Sequence, residues 1–137
     1  MVKNLEKKYN KFCQYNNFEI NNNQIQVIKK LEIFDSYNFK SLVSKIFYKK
    51  SNYRSFYLFG NVGVGKTMIL NFYFDQVKKK KIRLHFNEFM LNFHNFVYNK
   101  KNNKKNIINL FVKNLKAKAS LIYFDEFQVT NIVDAMI

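Results

Sequence analysis

Apolar residues recur along this chain at two spacings, and the spacing assigns the elements. Residues 1–17 are polar and Lys-rich, with Tyr9, Phe12 and Tyr15 three apart, which predicts an amphipathic helix. Phe18-Glu19-Ile20 and Asn21-Asn22-Asn23 read as a short extended piece and a turn, with Asn23 capping the next helix. That helix runs over about 24–34, its apolar stripe starting at Ile25 and Ile28 and passing through Leu31. A further helix is predicted over 39–48, with Leu42, Val43, Ile46 and Phe47 inward, followed by a polar linker over 49–54. Ser55-Phe56-Tyr57-Leu58-Phe59 is an aromatic, apolar run that reads as a buried strand ending at Gly60. Met68-Ile69-Leu70-Asn71-Phe72-Tyr73-Phe74 has strong helix character, and Lys78-Lys79-Lys80-Lys81 reads as its solvated end, where cations complement the helix dipole.

The second half repeats the alternation. Ile82-Arg83-Leu84-His85-Phe86 alternates as a strand does, and Asn87 opens a helix with Phe89, Met90, Phe93, Phe96 and Val97 on its core face. After a Lys/Asn loop over 99–106, residues 107–115 form another amphipathic helix. Leu121-Ile122-Tyr123-Phe124 is then a buried parallel strand that ends in Asp125 and Glu126. Strands alternating with helices predict an α/β fold with a parallel sheet.

Composition narrows the class. The 137 residues are 47% hydrophobic and 18% aromatic, enough for a folded domain and too much for a disordered chain. The single cysteine, Cys13, excludes a disulfide framework and suits a reducing compartment. The N-terminus has no apolar stretch of a secretory signal, and no run approaches a membrane span, so the expectation is a soluble, cytoplasmic protein without a transmembrane segment. The net charge of +15 would attract nucleic acid, anionic lipid or an acidic partner. The abundance of Lys, Asn, Ile, Phe and Tyr matches AT-rich codons, however, and genome bias accounts for the charge more readily than a dedicated basic surface does. His85 and His94 have no metal-ligand spacing with Cys13 or a carboxylate cluster and read as ordinary polar residues.

The chemistry lies in two places. Gly60-Asn61-Val62-Gly63-Val64-Gly65-Lys66-Thr67 fits G-x-x-x-x-G-K-[ST], a loop whose amides wrap phosphate, and Met68 completes the phosphate-binding stretch. All three glycines of the chain fall inside it. Lys66 would set its ammonium between the β- and γ-phosphates, and the Thr67 hydroxyl would be a ligand to Mg²⁺. Asp125 and Glu126 stand at the C-terminal end of a strand, where the acidic half of such a site belongs. There Asp125 would hold Mg²⁺, usually through water, and Glu126 would orient and deprotonate the attacking water. No guanine-reading Asn/Thr-Lys-x-Asp segment is present in the sequence, so ATP is preferred to GTP.

With these residues in hand, the chain resembles the ZapE family of AAA+-type ATPases, which includes bacterial cell-division ATPases and mitochondrial inner-membrane relatives. Three segments carry the resemblance: the phosphate loop with its flanks from Tyr57 to Met68, Leu84-His85-Phe86-Asn87-Glu88-Phe89-Met90, and Phe124-Asp125-Glu126-Phe127-Gln128-Val129-Thr130-Asn131-Ile132-Val133-Asp134-Ala135-Met136. The last is the most specific. Asn71 and Asn131 stand where many members have Asp.

The resemblance implies a P-loop NTPase of AAA+ type, a three-layer α-β-α fold with a parallel sheet, here truncated after the acidic (Walker B) strand. Residues 1–50 would be an N-terminal helical segment and 51–137 the first half of the ATPase core. The sensor strand, arginine finger and helical lid of full members lie outside the sequence. The chain is therefore expected to bind ATP and hydrolyse it weakly or not at all. The implied partners are ATP, a division-ring protein and, in the complete protein, further copies of itself, with a location at the inner face of the membrane. Two rivals stand beside this reading: a helicase-loader-like AAA+ protein whose basic surface contacts DNA, and a non-enzymatic interaction module.

Overall fold

Leu5, Tyr9 and Cys13 are the buried residues of helix α1 (Leu5–Tyr15), and their spacing of four places them along one stripe. This computed structural model describes residues 2–38, 55–100, 106–129 and 134. The helix and linker expected over 39–54 lie outside the described residues. The chain divides into two units, Met1–Val77 and Lys78–Ile137.

In the first unit, α1 packs with α2 (Asn22–Asn38) and α3 (Lys66–Gln76). The expected α1 face holds only in part. Tyr9 is fully buried, whereas Tyr15 is 89% exposed, because six residues of helix turn it well away from Tyr9. Ile25, Ile28, Leu31 and Phe34 form the buried stripe of α2, as the periodicity predicts. The cap of α2 is Asn21 rather than Asn23: its Oδ1 accepts the Asn23 N–H at 2.8 Å. Aromatic rings join the helices, with Phe72 of α3 at 5.1 Å from both Tyr9 and Phe12. Asp35 is buried and accepts the Val2 N–H at 2.6 Å and the Tyr73 hydroxyl at 3.2 Å. Burial, reinforced by Asp35, keeps the Tyr73 hydroxyl protonated well above its usual range.

The strand expected at 55–59 is not formed. The residues there have no regular secondary structure, and the hydrogen-bonded strands among the described residues lie elsewhere. Phe56 packs on Phe34 at 6.0 Å, but Tyr57 and Phe59 are 69% and 79% exposed. Strand N–H and C=O groups need a neighbouring strand. Apolar composition alone does not supply one.

The second unit is β1 (Lys81–His85), α4 (Phe86–Asn99), α5 (Ile107–Lys118) and β2 (Leu121–Asp125). The lysine run does not end a helix: α3 stops at Gln76, Lys78 to Lys80 follow as exposed coil, and Lys81 opens β1. β1 and β2 pair in parallel with Arg83 opposite Tyr123 and His85 opposite Asp125. Side chains alternate across a strand, so Arg83, Tyr123 and Asp125 share one face and Leu84 and Phe124 the other. The Phe124 face is apolar, its ring 4.8 Å from Phe89 of α4. Beyond it Phe86, Met90, Phe93 and Phe111 form the core of the unit. β2 is half-buried along its length rather than wholly buried, since its Tyr123 side carries polar groups.

Candidate functional site

The phosphate loop is shaped by backbone conformations that an L side chain resists. Gly63 and Gly65 have φ of 84° and 83°, in the left-handed region that costs other residues about 1–2 kcal/mol. Gly65 is the N-cap of α3, and no side chain caps that helix. The first bond back to it is from the Ile69 N–H to the Gly65 carbonyl at 3.0 Å. The amides of the first turn therefore have no helical acceptor, and the positive end of the helix dipole adds to them. Lys66, the first residue of α3, folds back across the loop and donates to the Gly60 and Asn61 carbonyls at 2.9 and 2.6 Å. Thr67 is exposed beside it on the first turn and Met68 is half-buried. Two positive-φ glycines, a helix N-terminus without a side-chain cap and an ammonium supply the kind of donors that phosphate oxygens take.

Of the two acidic residues, Asp125 is held from β1. The Arg83 guanidinium bonds to the Asp125 carboxylate and lies 5.2 Å from the Tyr123 ring centroid. The Tyr123 hydroxyl donates to the other Asp125 oxygen at 3.4 Å. The bond to Arg83 holds the Asp125 carboxyl below the usual carboxylate range, outweighing the opposing effect of burial. Burial and the adjacent Asp125 charge push the Tyr123 hydroxyl up to about 12. Glu126 is exposed and has φ of 51°, a left-handed conformation for a residue with a side chain. β2 ends one residue earlier, at Asp125.

Gly60, Asn61, Val62, Gly63, Val64, Gly65, Lys66, Thr67 and Met68 are thus assembled within the first unit, and Asp125 and Glu126 within the second. Sequence reasoning missed the partners of both groups. Arg83 and Tyr123 reach Asp125 only through the β1–β2 register, which no local pattern shows. Gln24 contacts the loop from forty residues upstream, donating to the Val64 carbonyl at 3.2 Å. His94, expected to be an ordinary polar residue, pairs with Asp134 at 2.7 Å. No cluster of three or more His, Cys, Asp or Glu suited to a metal occurs among the described residues, and no helix there is long and apolar enough to cross a membrane.

The family profile of the AFG1-like ATPases matches residues 5–137. Lactation elevated protein 1 homolog B from Danio rerio is 37% identical over 95 residues, covering 61% of this chain and 19% of that protein. Cell division protein ZapE from Escherichia coli K12 is 32% identical over 90 residues, covering 65% of this chain and 24% of that protein. The chain spans about a fifth to a quarter of the length of these curated relatives. No solved structure matches it at a significant level.

Proposed function

Because the chain belongs to the AFG1-like ATPases, a family of P-loop nucleoside triphosphatases, we propose that residues 60–68 bind the phosphates of ATP, and that the complete protein hydrolyses ATP with Mg²⁺. The observation that carries this reading is the uncapped N-terminus of α3 behind Gly63 and Gly65, with the Lys66 ammonium alongside. Lys66 exchanges two carbonyl acceptors for phosphate oxygens, and charged acceptors make the stronger bonds. Thr67 and Asp125 are the residues that would hold Mg²⁺, a cation that prefers one or two protein oxygens together with phosphate and water. When bound, Mg²⁺ neutralises charge on the phosphate oxygens. Arg83 and Tyr123 fix the Asp125 carboxylate in place, one on each oxygen. Glu126, exposed just past the end of β2, would orient and deprotonate the attacking water.

The wider role follows from the relatives by analogy. One of them carries cell division in its name. We place this chain's complete form in cell division, in the cytoplasm at the inner face of the membrane, acting on a division-ring protein as an oligomer.

Calorimetric titration of the 137-residue chain with ATP tests the site. Binding should tighten when Mg²⁺ is added, and Thr67→Ala should remove most of that gain while leaving metal-free binding near its wild-type strength. An absence of ATP binding overturns the reading, and equal affinity with and without Mg²⁺ overturns its metal part.

A further inference from the structure

Gln24, in the first turn of α2, is joined at both ends of its amide. Its Oε1 accepts the Tyr9 hydroxyl at 2.8 Å, and its Nε2 donates to the Val64 carbonyl at 3.2 Å. A carbonyl can only accept, so the nitrogen must face Val64 and the oxygen must face Tyr9. Tyr9 is fully buried, with its ring against Phe72 of α3, so the hydroxyl that orients Gln24 is itself fixed. The same Nε2 lies 2.7 Å from where a Cβ at position 65 would stand. The glycine thus admits the Gln24 amide as well as the positive φ.

The consequence lies in the peptide between Val64 and Gly65. It is planar and trans, so its C=O and N–H point in opposite directions. Holding the Val64 oxygen toward α2 turns the Gly65 N–H away from α2. Lys66 also ties the loop, through Gly60 and Asn61, but those bonds end when its ammonium turns to a phosphate. The Gln24 bond involves no group that phosphate needs, and it remains.

We propose that Gln24 is a positioning residue for the phosphate loop, locking the 64–65 peptide so that the Gly65 amide is aimed at an incoming phosphate oxygen. Tyr9 is the residue that sets the orientation of Gln24. This role rests on the reading of residues 60–68 as a triphosphate site. It makes the N-terminal helices part of the nucleotide site, although neither carries a residue of the loop.

Gln24→Glu removes the donor but adds a negative charge beside the loop, so Tyr9→Phe, which adds none, is measured with it and must also weaken binding. A carboxylate still accepts the Tyr9 hydroxyl, but it cannot donate to Val64. The variant should stay cooperatively folded, with a melting temperature lower by a few degrees because the bond to Val64 is present without nucleotide, while its Kd for Mg·ATP rises by about fivefold. Tyr9→Phe, which removes only the hydroxyl, should raise the Kd by a smaller factor, about threefold, and serves if Gln24→Glu does not fold. Lys66→Ala is titrated alongside. If wild type binds ATP, Lys66→Ala does not, and the folded Gln24→Glu matches wild type, the Gln24 role is overturned and the triphosphate site stands. The role is likewise overturned if Tyr9→Phe matches wild type. If wild type binds no better than Lys66→Ala, both readings fall.

Discussion

Asp125 keeps its charge at pH values where an ordinary carboxyl has begun to lose it, because Arg83 reaches it diagonally across the β1–β2 ladder. A carboxyl depressed in the folded state stabilises the fold at pH values above its unfolded value of about 3.9, and that contribution is lost as pH falls through the folded value. The pair is therefore intact at neutral pH and weakens only in acid. Arg83→Gln should raise the Asp125 midpoint, read by carboxyl carbon NMR. It should also raise the Tyr123 hydroxyl further, because Arg83 opposes the burial and the Asp125 charge that push it up. A midpoint for Asp125 that does not move would contradict the role given to Arg83. Among single residues the sequence was uneven. The loop was legible because its residues are contiguous and its glycines have no substitute. Arg83 and Gln24 were not legible, since each reaches its partner through pairing or packing that spans tens of residues.

Elements follow the same division between local and distant causes. The described helices were legible because a stripe every three or four residues is a property of the helix alone, as in Ile25, Ile28, Leu31 and Phe34 of α2. Assigning the stripe from three residues was less secure. In α1 the buried line is Leu5, Tyr9 and Cys13, not the one ending at Tyr15. The strand at 55–59 failed for a different reason, since an apolar run becomes a strand only beside a partner. The second unit depends on α5 bringing Phe111 against Phe89, Phe93 and Phe96, with ring centroids at 5.7, 5.1 and 5.3 Å. Phe111→Ala should cost about 3–5 kcal/mol in urea unfolding, a large share of a small unit's stability. Ile108→Ala, at an exposed position of the same helix, should stay within about 0.5 kcal/mol. Equal losses at the two positions would mean that α5 does not bury the Phe111 face.

The molecule as a whole carries 24 Lys and Arg against 9 Asp and Glu, so polyanions are drawn to it regardless of any site. Exposed charges act weakly beyond about 8 Å at physiological salt, whereas amides and an ammonium in direct contact with phosphate do not depend on that long-range field. A test of the triphosphate site must therefore report from the loop itself, at physiological ionic strength. The sequence offers such a probe, because Gly60, Gly63 and Gly65 are all the glycines it has. Labelling only glycine with ¹⁵N gives an amide spectrum of three signals, every one from the phosphate loop. Mg·ATP should shift Gly63 and Gly65 strongly and saturably in wild type, and leave them in place in Lys66→Ala. Three signals unmoved by saturating Mg·ATP, or moved equally in both proteins, would contradict a triphosphate site at this loop.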